Sequence, residues 1–386
     1  MSGWRGPVDL PPAPAPGAAA PRLSAWADRL LVLAAMAACP QDPLHHGEGD
    51  VLVHTQMVCD ELVAGAEWRS LPVEGREELW LAAVLHDCGK PQTTREEDGR
   101  LRAPGHARAG AILARRLLWQ AGVPWAARER VCGLVRWHMT PYHLLDRPDS
   151  ARQAILMSLS VNPARLRLLV ECDARGRLAP DVEALAETVA LAWEVCAELG
   201  CGDGPFPFAN DHARFTYFVG RADRDPTWAA HDDTSGRLTL LSGLPGAGKD
   251  HWVTTHAGDA VVVSLDDLRR ERGAKRTDQT AQGQIVQEAR ERLRVELRAW
   301  RDVVWNTTGL SRQLRAPLVS LGHDYGVRVR IVCVEAEPAT LAEQNARRSD
   351  PVPEGAIERL LGRWEFPGLD ECHERVVAER LRFPAR

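Results

Sequence analysis

The chain has 386 residues, more than one domain usually holds, so two domains are expected. Its composition, 45% hydrophobic and 26% charged, is that of ordinary globular sequence, and no apolar run is long enough to be a helical bilayer span. A net charge of −5 gives no global attraction to nucleic acid, although a local basic groove would suffice for binding.

Residues 1–22 include PVDLPPAPAPGAAAP and read as a flexible Pro/Ala tail without an apolar core of signal type. Nine scattered cysteines, odd in number and without a CxxC pair, argue against a disulfide framework and for a reducing compartment. A cytoplasmic location with no membrane partner is therefore expected. Residues 23–204 form a helical module, because stretches such as WLAAVLHDC, AGAILARRLLWQAG and VEALAETVALAWEVCAEL repeat apolar residues at three and four spacing. No convincing period-two strand is found there. Residues 205–236, rich in Gly, Pro, Asp and aromatics, read as a docked connector. From residue 237 to 386 the grammar changes: RLTLLSG, AVVVSLDD, DVVWNTT and VRVRIVCVE are short β-rich runs separated by helical stretches. The expected fold class is thus multidomain, an all-α module followed by an α/β domain with a parallel sheet.

The helical half concentrates histidine: seven of the thirteen lie between His45 and His143. At the centre is LHDCGKP, where His86 and Asp87 are adjacent and Gly89 and Pro91 end the helix, so that both side chains can turn inward. Around it lie His54, His106, His138 and Asp173. Imidazoles and carboxylates together suit divalent transition metals, and five or six such groups can hold two ions.

The order H…HD…H…H…D resembles the HD phosphohydrolase superfamily. HHGEGDVLVHT, LHDCGKPQTT and GHARAGA resemble the HD module that also occurs in bacterial CCA-adding enzymes. The resemblance implies that His54, His86, Asp87 and Asp173 hold one metal and that His106 and His138 complete a second, with Asp87 bridging. The ions would be of the Mn, Ni, Co, Fe or Zn class. Lys90 would help to hold a phosphate. His45, His46 and His143 fit the ligand order poorly and are expected at the surface or behind the ligands.

In the second half, RLTLL leads into SGLPGAGK with a helix expected from Lys249. Backbone N–H groups of Gly243, Pro245–Gly248 (Gly246 and Ala247 between them, the proline excepted as a donor) would wrap the phosphates of ATP, and Lys249 would reach the outer ones. The motif then calls for a hydroxyl on Mg²⁺, and the chain supplies Asp250. A carboxylate there suits either Mg²⁺, directly or through water, or the free N–H groups of the helix start.

The next strand ends in SLDDLR, and the combination resembles the polynucleotide kinase branch of P-loop phosphotransferases. That likeness implies Asp266 as general base for a 5′-hydroxyl and Arg269 as clamp for the acceptor's phosphate, with Asp267 a solvated neighbour or helix cap. VVWNTTGLSRQLR resembles a D-A-T-N-L-x-x-x-x-R segment, with Asn306 where Asp is more usual. By the same likeness Thr308, Arg312 and Arg315 would line the acceptor groove. QNARRSDPVPEGAI resembles a lid whose arginine closes over the β/γ-phosphates, Arg348 aligning best and Arg347 next.

An HD module followed by such a kinase resembles the bacterial HD-Pnk end-healing enzymes. The resemblance implies removal of 2′,3′-cyclic and terminal 2′/3′-phosphates, ATP-dependent phosphorylation of 5′-hydroxyls on RNA or DNA ends, and a ligase acting downstream. An HD nucleotidase joined to a nucleoside or sugar kinase would share the same motifs, and Arg269 favours an acceptor that already bears a phosphate.

Overall fold

The computed structural model describes residues 8–220, 224–274 and 278–378. They fall into two compact units, one ending at Pro207 and one beginning at Phe208.

The first unit is built from helices, with clear local reasons for their limits. Val51–Ala64 is N-capped by Asp50, whose carboxylate accepts from Val53 N at 2.9 Å, and Gly65 ends it. Pro163–Arg175 starts with proline at its first position and Asn162 as cap, and Gly176 follows its end. Leu62, Leu79, Trp80, Leu85, Val131, Val135 and Leu169 are fully buried between the helices. Each such aliphatic side chain contributes about 2 kcal/mol through burial. The Trp80 indole donates to Pro11 O at 2.8 Å, which holds residue 11 against the helix Val73–Leu85.

One feature departs from the expectation of an all-helical half. Arg95–Glu97 (β1) and Arg100–Arg102 (β2) form an antiparallel hairpin. Asp98 and Gly99 turn it with φ of 53° and 71°, the geometry that makes Asp-Gly a hairpin signal. Its strands are three charged-rich residues each and largely exposed, so no apolar alternation announces them.

The second unit is an α/β domain on a five-stranded parallel sheet. The strands Arg237–Ser242 (β3), Val261–Ser264 (β4), Val303–Asn306 (β5), Arg328–Val334 (β6) and Glu374–Ala378 (β7) lie in the order β4-β5-β3-β6-β7. β3, β5 and β6 are nearly continuous buried apolar runs, as strands covered on both faces must be. From central β3 the chain crosses to edge strand β4, returns to β5 and then passes to β6 on the other side. The carboxyl end of β3 therefore lies where the strand order reverses, the usual ligand crevice of an open α/β sheet. β7, half-buried and only five residues long, is an edge strand that the sequence pattern does not announce. Residues 208–236 include the helix Asp211–Val219, and Arg214 in it donates to the carbonyls of Leu369, Cys372 and His373.

Candidate metal centre and nucleotide site

Five helices converge on one buried cluster in the first unit. His54 lies in the first turn of Val51–Ala64, His86 and Asp87 just past Val73–Leu85, and His106 begins His106–Gln120. His138 caps Trp125–Trp137, and Asp173 is on Pro163–Arg175. All six side chains are buried. Gly89 allows the His86–Asp87 turn to approach the start of the His106 helix. A Cβ there would stand 2.2 Å from His106 O and 2.5 Å from Gly110 N.

Asp87 is central. Its Oδ1 lies 3.3 Å from His106 Nε2 and 3.7 Å from His138 Nε2, while Oδ2 lies 3.3 Å from His86 Nε2 and 3.8 Å from His54 Nε2. Asp173 Oδ1 is 3.0 Å from His54 Nε2 and 3.9 Å from His86 Nε2. His86, His106 and His138 each donate Nδ1–H to the carbonyl three residues back, at 2.8 Å. That pattern puts the lone pair on Nε2, the nitrogen facing the carboxylates.

The electrostatics favour anionic carboxylates. Burial opposes the charge on Asp87, but Lys90 and His86 outweigh it and hold the carboxyl well below its usual range. Burial likewise opposes Asp173, and Arg177, His54 and His86 overcome it. Burial lowers His106 to about 4, partly resisted by Asp87. His86 moves the other way: burial opposes its charge, but Asp87 and Asp173 raise it, so a bound cation would have to displace its proton. Neutral imidazoles and ionised carboxylates are the forms that ligate metal.

The residues fit a divalent centre on two observations. Among the described residues His86 Nε2 and Asp87 Oδ1 are buried without a hydrogen-bond partner, a costly arrangement unless an electron-pair acceptor such as a cation satisfies them. The ligand atoms of His54, His86 and Asp87, and those of Asp87, His106 and His138, also lie within 4.8 Å of one another. Lys90 Nζ sits 2.6 Å from Asp87 Oδ2 and 2.6 Å from Gln41 Oε1, so it is held at the carboxylate.

Three supporting residues escaped sequence reasoning. Glu48 Oε1 is 2.9 Å from His54 Nδ1 and 2.8 Å from His46 Nδ1, while Oε2 accepts from Leu178 N. Tyr142 OH donates to Asp173 Oδ2 at 3.0 Å, and Arg177 Nη2 donates to Oδ1 at 2.8 Å. Glu48 carried only a weak signal, a lone acid in a glycine-flanked loop. His46 bonds Glu48 and also meets the His54 ring edge-on, with centroids 4.8 Å apart, while His45 pairs with Asp181 and His143 is exposed.

In the second unit the loop after β3 leads into the helix Lys249–His256, with Gly248 at φ 100° as its N-cap. Against expectation, two loop N–H groups are already engaged: Gly243 N donates to Thr308 O at 2.9 Å, tying the loop to the segment after β5, and Ala247 N donates to Leu244 O at 3.1 Å. Lys249 Nζ donates to Gly243 O at 3.0 Å and Leu244 O at 2.9 Å. Burial pushes this lysine down to about 8; Asp250 and Asp266 resist, and Arg348 adds to the push.

Asp250 Oδ1 accepts from Asn306 Nδ2 at 2.7 Å. A carboxylate only accepts, so the contact fixes the carboxamide with its NH₂ toward Asp250. The pair offers hard oxygen donors beside the loop, which fits Mg²⁺.

Ser264 at the end of β4 caps the helix Leu265–Glu271 by accepting from Asp267 N at 3.2 Å. Asp267 itself ion-pairs with Arg270 at the surface. Asp266 is 51% exposed, ion-pairs with Arg269, and has Arg348 Nη2 3.7 Å from its Oδ2. Arg269 is steadied by Gln282 Oε1 at 2.9 Å. Asn345 clasps the arginine-bearing loop, its side chain bonding both N and O of Val352 at 3.0 and 2.8 Å. Arg348 is thereby brought to Asp266, whereas Arg347 is 80% exposed beside Glu343.

The residues expected to line an acceptor groove are engaged by other parts of the fold. Arg315 is buried and holds Glu371 through two bonds of 2.9 Å, with Nη1 on the carbonyls of Gly309 and Glu365. Its guanidinium is a structural tie and does not face a groove. Arg312 Nη1 lies 2.5 Å from Asp370 Oδ2, and Thr308 contributes its carbonyl to the loop.

Fold and site together define the class: an HD domain followed by a P-loop kinase-like domain. Residues 52–160 match the HD domain family and residues 238–367 match the AAA domain family. The chain is 36% identical over 143 residues to a multifunctional CCA protein of Halorhodospira halophila, covering 36% of this chain and 32% of that protein. It is 44% identical over 90 residues to a CC-adding tRNA nucleotidyltransferase of Thermus thermophilus, covering 23% and 18% respectively. The chain thus spans a third or less of the length of these two relatives. A chain in a structure of the Pnkp1/Rnl/Hen1 RNA repair complex is 18% identical, with a TM-score of 0.30, covering 35% of this chain and 46% of that one.

Proposed function

We propose that the chain is a bifunctional enzyme that heals nucleic-acid ends, of the HD-Pnk kind. The observation that carries the reading is that one chain holds two sets of residues suited to phosphate chemistry. One is the Asp87-centred ligand cluster, and the other is Asp266 beside Arg269, Arg348 and the Lys249 loop.

In the first unit, His54, His86, Asp87 and Asp173 would hold one metal, and His106 and His138 with Asp87 a second. The chemistry such ions supply is an acidified water and charge neutralisation on phosphate oxygens. Arg177 and Tyr142 fix Asp173, Glu48 orients His54, and Lys90 exchanges its contact with Asp87 for a substrate phosphate. The product is a 2′/3′-hydroxyl end freed from 2′,3′-cyclic or terminal phosphate.

In the second unit Asp266 takes the proton of the 5′-hydroxyl as the new O–P bond to the γ-phosphorus of ATP forms and the bond to ADP breaks. Lys249 and Arg348 balance the charge on the transferring phosphoryl, and Arg269 holds the acceptor's phosphate. Hydrolysis at one end and phosphorylation at the other would prepare RNA or DNA for a ligase. A relative named as a CC-adding tRNA nucleotidyltransferase supports a nucleic-acid substrate.

One observation favours a second reading, an HD nucleotidase joined to a small-molecule kinase: Arg315 and Arg312 are engaged within the fold, which leaves Arg269 as the chief acceptor cation. A 5′-hydroxyl oligonucleotide bearing a 2′,3′-cyclic phosphate, incubated with ATP, Mg²⁺ and Mn²⁺ or Ni²⁺, separates the two. Conversion of both ends is expected; turnover of free nucleosides or sugars alone would favour the second reading.

A further inference from the structure

We propose that Asp250 and Asn306 form a charge-swapped station for the Mg²⁺ that accompanies ATP, with the carboxylate on the loop helix and its neutral partner on β5. The inference rests on the nucleotide-site reading above and identifies which side chains would face the cation.

In P-loop phosphotransferases the cation is held by the hydroxyl that follows the loop lysine and by a carboxylate on a neighbouring strand. Both positions depart from that arrangement here, and they do so in compensating directions. The residue after Lys249 is Asp250, and the last residue of β5, the strand paired with β3, is Asn306. A hydroxyl with a carboxylate carries one negative charge, and so does a carboxylate with a carboxamide. The charge has moved from strand to helix, and the total offered to a cation is unchanged.

The geometry makes the two substitutions one unit. Asp250 Oδ1 accepts from Asn306 Nδ2 at 2.7 Å, and Asn306 is only 9% exposed. That single bond leaves Asp250 Oδ2 and Asn306 Oδ1 as oxygen donors of the kind hard cations prefer. A second carboxylate at position 306 would set two anions against each other with no cation between them, whereas the Asn306 carboxamide donates to the exposed Asp250.

The competing role, a helix cap, is not supported by contacts. Asp250 is the second residue of Lys249–His256, the N-cap is Gly248, and no side chain caps this helix. The bond Asp250 makes runs across to β5. A purely structural latch between helix and strand would keep that bond and do nothing for a metal.

The test is the Mg²⁺ dependence of binding of a fluorescent ATP analogue, with Mn²⁺ in the same ternary complex followed by electron paramagnetic resonance. Asp250→Asn keeps the shape and the bonding capacity but removes the charge; it is expected to weaken metal-dependent nucleotide binding by about tenfold or more. Asp250→Ser should do the same, and Asp250→Ser with Asn306→Asp should restore the dependence to within about threefold, because the charge returns to the strand. If Asp250→Asn binds nucleotide with unchanged Mg²⁺ dependence, or both aspartate variants merely lower the melting temperature, the pair is a latch and the proposal falls alone. If the double variant melts like the wild type but does not regain the dependence, the swap is wrong. If the unaltered protein binds no ATP at any Mg²⁺ concentration, the nucleotide-site reading fails together with it.

Discussion

Lys249 carries a proton-linked prediction that follows from its burial. Its folded pKa of about 8 lies below the ordinary lysine value of 10.5, because removal from water disfavours the ammonium. Between those values the unfolded chain binds more protons than the folded one, so this group's contribution to stability rises with pH across that window. A bound triphosphate beside Nζ reverses the preference and recharges the amine. Nucleotide binding at about pH 9 is therefore expected to take up protons, and at about pH 6.5 to take up few at this group. Calorimetry in buffers of different ionisation enthalpy reads this directly, and equal uptake at both pH values would count against Lys249 as the phosphate-facing amine. Glu48 acts at the same scale by orienting His54. Glu48→Gln should reduce metal affinity roughly 10–100-fold with little change in the helical fold, measured by metal titration. The six clustered residues were legible as an ordered set of metal-binding residue types. Glu48, Tyr142 and Arg177 were not, because each is identified only by the ligand it touches across the fold.

Among elements, the strands β3 to β6 were readable because a parallel sheet covered on both faces needs near-continuous β-branched runs. The hairpin at Arg95–Arg102 and edge strand β7 were not, since neither buries enough apolar surface to impose a pattern. The helix Arg312–Asp324 teaches the same point about side chains. Arg315 read as an acceptor-groove residue, yet the fold brings it to Glu371, a partner 56 positions away that no local pattern reveals. Arg315→Met would strand Glu371 as an uncompensated buried charge and is expected to cost on the order of 3–5 kcal/mol, measured by denaturant titration. Addition of Glu371→Leu should recover much of that loss. Unchanged stability with a raised acceptor KM would instead return Arg315 to the groove.

For the whole molecule, the change of grammar near residue 237 located a helical module followed by an α/β domain, because helical and parallel-sheet patterns differ over long windows. The unit boundary at Pro207/Phe208 depends on packing: residues 208–220 bond to the segment before β7 through Arg214, which sequence spacing alone does not disclose. The Asp87 cluster lies in one unit and the Lys249 loop in the other, so under the proposed function the two chemistries are expected to be separable. No helix among the described residues is long and apolar enough to cross a membrane, and all nine cysteines are free and buried.

The most direct test of the central claim follows both ends of one labelled oligonucleotide, 5′-hydroxyl and 2′,3′-cyclic phosphate, in the presence of ATP, Mg²⁺ and Mn²⁺ or Ni²⁺. The unaltered protein is expected to convert both ends, Asp87→Ala only the 5′ end, and Lys249→Ala only the 3′ end. Conversion of neither end in any metal, or loss of both activities in a folded single variant, would contradict the account.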